Sequence, residues 1–239
     1  MNRKRVLIFT GLLLFLTGCT DFVMICSLNP FYLEKNVTLL PEIEGRWSVL
    51  PVQHKAGSTK KEDNPVWNGV DTTSVWKIER RISKETIKTS QGRDSIVLKP
   101  LNFYQVLLVG NGPDSIHYRF KMVIFKVNEM LYADFMPIEN TGLEKSRFAA
   151  ESYFRIHTLA RLVIRNQHPE FSWLGAEYTK EMIEKKRVRV SYRWVSDAGR
   201  LLLTGSSEQL TGVIERYAGE PRFIDWENQN AQLKLNRII

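Results

Sequence analysis

The sequence predicts a mainly β protein: an antiparallel barrel carrying one or two short helices. Three observations predict it. About ten short runs alternate apolar and polar residues or are apolar throughout, as strands do. Turn residues such as Asn111-Gly112-Pro113-Asp114 and Asp197-Ala198-Gly199 separate several of them. Only one stretch, Leu210-Val213-Ile214-Tyr217, makes a full helical stripe. Many short strands with few helices favour a closed antiparallel sheet, because closure removes exposed edges; a sandwich is the rival.

The chain opens on Arg3, Lys4 and Arg5, followed by an apolar run of 11 residues, Val6 to Leu16. A membrane-spanning helix needs about 20 residues, so this run reads as a cleaved signal over 1–18. It ends in Leu16-Thr17-Gly18-Cys19, which resembles the bacterial lipobox. The resemblance implies cleavage before Cys19, diacylglycerol on its thiol and acylation of the new amine. Several acyl chains hold a protein stably, where one chain exchanges. Thr20 is not the Asp that retains enterobacterial lipoproteins at the inner membrane, so a bacterial envelope location is expected, more at the outer membrane facing the periplasm than at the inner membrane. An ordinary secretory signal with an incidental cysteine is the alternative.

Residues 19–44 contain Pro30 and Pro41 and lack clear periodicity. They read as a lipidated tether that merges into a domain over 45–239. Phe22, Val23, Met24 and Ile25 are apolar for a linker, and either sit at the membrane surface or pack on the domain. Gly45-Arg46-Trp47 opens the first strand, about 46–52. Further strands are expected at Val75–Ile82, Glu85–Thr89, Ile96–Leu98 and Phe103–Val109, with Pro100 between the last two. His117–Val127 is apolar on nearly both faces, as in a strand buried on both sides. Asn128-Glu129 turns it into Met130–Met136.

Tyr153–Arg165 alternates, with Phe154, Ile156, Thr158, Ala160, Leu162 and Ile164 on one face and Arg155, His157, Arg161 and Arg165 on the other. Glu170–Leu174 is a short strand and Glu177–Lys186 has helical spacing. Arg187–Trp194 alternates most clearly: Val188, Val190, Tyr192 and Trp194 are expected inward, and Arg187, Arg189, Ser191 and Arg193 outward. It turns onto Leu201–Leu203. Ser206 with Gln209 three residues on is a capping box for the one strong helix, which Gly219 and Pro221 end. Gln232–Ile238 is the last strand.

With 43% apolar and 25% charged residues the composition is that of an ordinary globule. The net charge of +8 falls to +5 without Arg3, Lys4 and Arg5. That moderate excess suits anionic lipid or an acidic polymer, or simply keeps the domain soluble. Cys19 and Cys26 are the two cysteines. If Cys19 carries lipid, Cys26 has no intramolecular partner; it is a thiol of the tether, a reactive group or a dimer contact. His54, His117, His157 and His168 offer no pair at helical metal-binding spacing, and neither a Gly-x-Ser-x-Gly elbow nor a phosphate-binding glycine loop occurs. No metal, cofactor, nucleic-acid partner or catalytic residue is expected. Asp134 within an apolar strand is a buried acid of raised pKa, or else it holds an edge position or pairs with an arginine.

Gly45-x-Trp47 resembles the first-strand signature of lipocalins, in which a basic residue near the end of the barrel covers the Trp; the resemblance assigns that part to Arg237. The whole layout is similar to uncharacterised bacterial lipoproteins with a lipobox, Gly-x-Trp, a strand like Leu131-Tyr132-Ala133-Asp134-Phe135, a pair like His157-Thr158 and a helix start like Leu203–Leu210. It implies a lipocalin-like (calycin-like) domain and no particular activity. The leading expectation is therefore a lipid-anchored, non-enzymatic binding domain. The alternatives are an envelope scaffold acting through another protein, or an unrecognised hydrolase. If the two arginine-bearing strands share a sheet, Arg155, His157, Arg161, Arg165, Arg187, Arg189 and Arg193 make a possible anion-binding face, because guanidinium groups bond phosphate through two nitrogens.

Overall fold

A computed structural model describes residues 25–50, 75–88, 94–109, 118–140, 156–174, 176–195, 200–220 and 232–238. Among them are β1 (Cys26–Ser27), β2 (Gly45–Leu50), β3 (Val75–Lys88), β4 (Asp94–Val109), β5 (Tyr118–Val127), β6 (Met130–Asn140), β7 (His157–Arg165), β8 (His168–Trp173), β9 (Tyr192–Val195), β10 (Arg200–Leu203) and β11 (Gln232–Arg237). Two 3₁₀ turns, Glu34–Asn36 and Pro41–Ile43, and two α-helices, α1 (Ala176–Glu184) and α2 (Ser207–Tyr217), complete the set. Neither α-helix is long and apolar enough to cross a membrane.

Eight strands close into an antiparallel barrel in the order β2-β3-β4-β5-β6-β7-β8-β11, with β11 returning to β2. The other three make a flap. β1 pairs with the first residues of β7, and β10 and β9 follow outward from β1. The fold is the closed β-barrel that the strand pattern predicted.

Strand alternation divides the apolar residues between two cores. Inside the barrel lie Trp47, Trp76, Tyr104, Phe135, Phe171 and Trp173, with aliphatic neighbours. Four of these rings meet across the lumen. Trp76 of β3 is 6.2 Å from Phe171 of β8 and 6.3 Å from Phe135 of β6, and Phe135 is 5.4 Å from Phe171 and 5.6 Å from Trp173. These three strands are not neighbours in the barrel, so contact between their side chains fills its cross-section. An eight-stranded barrel is narrow enough for this. Ile43, two residues before β2, is wholly buried in the same core.

The second core lies outside the barrel. It packs Val123, Phe125, Tyr132 and Leu159 of β5, β6 and β7 against α1, α2, β10 and residues 25–37. This is why β5 reads as apolar on both faces: one faces the lumen and the other this layer. The segment 25–44, read from sequence as tether, is therefore packed structure: Ile25, Phe31, Tyr32 and Ile43 are all buried.

The structure corrects several expectations about elements. β3 and β4 are unbroken where two pairs of shorter strands were expected, and a bulge between Arg80 and Ile82 absorbs the irregularity. Pro100 is accommodated because β4 pairs with β5 only over Tyr104–Leu108, so the missing N–H removes no bond to β5. Beyond the bulge the two strands pair only with each other, as an arm extending past the barrel. Arg187–Ser191 belongs to no strand, and β9 begins only at Tyr192. Val188 and Val190 are buried as expected, whereas Tyr192 and Trp194 are exposed. Flap strands end the sheet, so their outer residues lack a covering layer.

Candidate functional site

The most unusual group in the described fold is a buried carboxylate on the outer wall of the barrel. Asp134 alternates in phase with Tyr132, so it faces the second core, and residues 25–37 cover it. Asp134 is 1% exposed. Its register partner on β7 is Leu159, which makes His157 a diagonal neighbour on the same face. Asp134 Oδ1 lies 2.7 Å from His157 Nδ1, and Oδ2 accepts the backbone N–H of Phe31 at 2.8 Å. The Phe31 carbonyl accepts in turn from Thr211 Oγ1 of α2 at 3.2 Å. One residue of the N-terminal segment, Phe31, is thus held from the barrel through its N–H and from a helix through its carbonyl. Burial raises the Tyr32 hydroxyl to about 12, with further upward contributions from the charges of Asp134 and Glu34. Tyr132 is also pushed up to about 12 by burial, against a lowering contribution from Arg161.

A histidine oriented by an aspartate is part of a nucleophile-activating relay. Ser27 stands opposite His157 in the β1–β7 register. Its hydroxyl is engaged elsewhere: it donates to the Leu203 carbonyl at 3.3 Å and accepts from the Asn29 N–H at 3.1 Å. Both oxygens of Asp134 are occupied by protein groups. The arrangement has the chemistry of a latch that fastens residues 25–37 to the barrel.

The proposed basic stripe is not one face. Cys19 and Arg155 lie outside the described residues. His157 does share a face of β7 with Arg161 and Arg165, but it is buried there against Asp134. Arg161 is half-buried beside Tyr132, and Arg165 pairs with Glu170 at 3.3 Å. Arg187, Arg189 and Arg193 are exposed. The register decides the geometry. His157, Ser27, Leu203 and Tyr192 stand in one row across the flap, and Thr158, Cys26, Leu202 and Arg193 stand in the next. Adjacent rows face opposite sides of a sheet. Arg193 therefore projects away from the side that His157, Arg161 and Arg165 share. Counting alternation within each strand could not show this, because it depends on the two strands inserted between them.

Comparison with protein-family models, curated proteins and solved structures finds no match to this chain. The residues that carry the lipocalin resemblance do meet in space. Arg237 lies opposite Trp47 in the β2–β11 register, its guanidinium 5.5 Å from the Trp47 ring centre. It also donates to the Glu44 carbonyl at 3.2 Å, and Trp47 Nε1 donates to the Ile43 carbonyl at 2.9 Å. Gly45 has φ +143°, a conformation that other residues adopt only with strain. The eight-stranded antiparallel barrel is consistent with a lipocalin-like fold.

Among the described residues, no three His, Cys, Asp or Glu side chains gather as a metal site. Apart from Ile238 near the end of the chain, the exposed large apolar side chains among the described residues fall into two groups. One is on the arm, where Ile82, Ile96 and Leu98 share a face by register. The other is on the flap, where Tyr192 and Trp194 of β9 pack edge to face, 6.2 Å apart, with Leu28 exposed just after β1.

Proposed function

We propose that this chain is a bacterial envelope lipoprotein, tethered through lipid on Cys19, whose domain works as a non-enzymatic binding module on its outer surface. The observation that carries the reading is the Leu16-Thr17-Gly18-Cys19 motif after a short apolar run. The buried Ile25 and Phe31 support it, since they leave only a few residues between a lipidated Cys19 and packed structure. Such a short link would hold the domain close to the bilayer. The aromatic rings that meet across the lumen favour an outer surface over an internal cavity as the place of binding. The engagement of Ser27 and Asp134 with backbone groups argues against the hydrolase alternative. The envelope-scaffold alternative is favoured by the apolar face of the arm, which suits a protein partner.

Expression of the full precursor with labelled palmitate tests the anchor. Wild type is expected to take up label and sediment with membranes, and Cys19→Ala to do neither. Equal labelling of both would overturn the reading.

A further inference from the structure

We propose that the exposed edge of the flap, β9 with its aromatic pair, is the surface that meets an anionic lipid bilayer; this rests on the reading of Cys19 as the anchor. Three observations combine.

The first is composition. Tyr192 and Trp194 are 41% and 43% exposed, and Leu28, just after β1 in the same flap with its N–H bonded to the Leu203 carbonyl, is 46% exposed. Tyr and Trp carry an apolar ring with a polar tip, which suits the headgroup layer of a membrane. The Lys180 ammonium lies 5.4 Å from the Trp194 ring centre.

The second is charge. The stretch from Lys180 to Arg193 holds six basic residues, Lys180, Lys185, Lys186, Arg187, Arg189 and Arg193, against Glu181 and Glu184. Arg187, Arg189 and Arg193 alternate with Val188, Val190, Tyr192 and Trp194, so they project on the other side of the same run. β9 is the last strand of the sheet among the described residues, so both of its sides border one edge. Long basic side chains at such an edge can reach phosphate while the aromatic rings enter the interface.

The third is position. Cys26 opens β1, and β9 lies two strands from β1, about 10 Å at ordinary strand spacing. Cys19 precedes Cys26 by seven residues, a reach of at most about 25 Å. The arm is placed differently. β3 is four strands from β7 in either direction round the barrel, and so on the opposite wall. The arm also leaves the end towards which β7 runs, whereas β1 pairs with the beginning of β7. Of the two exposed apolar groups, the one beside the anchor is the one on β9.

The test uses the chain from residue 19 onward with Cys19→Ser, and so without lipid. It measures sedimentation with vesicles of phosphatidylglycerol and phosphatidylethanolamine, or of phosphatidylcholine alone, across a salt series. Wild type is expected to prefer the anionic vesicles and to release as salt rises. Tyr192→Ser with Trp194→Ser should bind about tenfold more weakly, and brominated lipid should quench wild-type tryptophan fluorescence more than that of Trp194→Phe. If circular dichroism shows that the double variant has lost its fold, Lys180→Glu with Arg193→Glu must give the same loss. Equal binding by wild type and the folded variants overturns the proposal. So does the absence of anionic-vesicle binding by wild type, including the case in which β9 instead pairs two copies of the chain. Palmitate labelling reports on Cys19 independently, so failure of the anchor and failure of the patch are separate results.

Discussion

At the residue scale, the pair Asp134 and His157 ties the beginning of the domain to its barrel. A buried carboxylate is tolerated only when its oxygens are bonded, and here a ring nitrogen and a backbone N–H bond them. Asp134→Ala would leave both partners buried and unpaired, at a cost of about 3 kcal/mol. Urea unfolding should show this as a lowered midpoint; an unchanged midpoint would mean that the latch contributes nothing. The raised hydroxyls of Tyr32 and Tyr132 give a second prediction. Their neutral forms are favoured in the fold, so the stability they contribute is full below pH 10.0 and is lost as the pH climbs through about 12. Ultraviolet titration should find these tyrosines ionising after the exposed ones, and the lag should shrink in Tyr32→Phe with Tyr132→Phe. Ionisation of every tyrosine near pH 10.0 in folded protein would contradict it. The sequence marked Asp134 and His157 as notable. It could not join them, because a diagonal pair across β6 and β7 depends on register.

At the element scale, legibility followed the number of partners a strand has. β2, β5, β6, β8 and β11 lie where alternation put them, because one or both faces are buried. The capping box of α2 is also as read: Ser206 Oγ accepts from Gln209 N, and Gln209 Oε1 accepts from Ser206 N. Ser206→Ala should cost about 1 kcal/mol in thermal or urea unfolding. Gly205→Ala should destabilise the protein too, since a Cβ there would stand 2.7 Å from Val190 Cγ2. An unchanged melting temperature for that variant would mean that Val190 moves aside freely. Alternation misled at Arg187–Trp194. The stretch has the pattern of a strand buried on one side, and its first half is buried so. Its second half runs into the flap, where no further layer covers Tyr192 and Trp194. The arm was misread for a related reason: past the bulge the face that carries Ile82, Ile96 and Leu98 is open, so burial imposes no period on it.

At the scale of the whole molecule, the chain has two poles. Residues from Ile25 enter beside the flap, run over the outer wall through the Asp134 latch and reach β2 at the end from which the arm leaves. With lipid on Cys19, the flap would face the bilayer and the arm would point away from it. The barrel class was legible because eight strands of short period with few helices have few ways to hide their edges. The second core was not, because it is assembled from β5, β6, β7, two helices and the N-terminal segment, which are far apart in sequence. The lipid anchor on Cys19 is tested by mass spectrometry of the mature protein isolated from bacterial membranes. The predicted result is an N-terminal peptide beginning at Cys19 and carrying both diacylglyceryl and amide-linked acyl groups. A mature chain that begins elsewhere, or that begins at Cys19 without lipid, would contradict anchoring through Cys19.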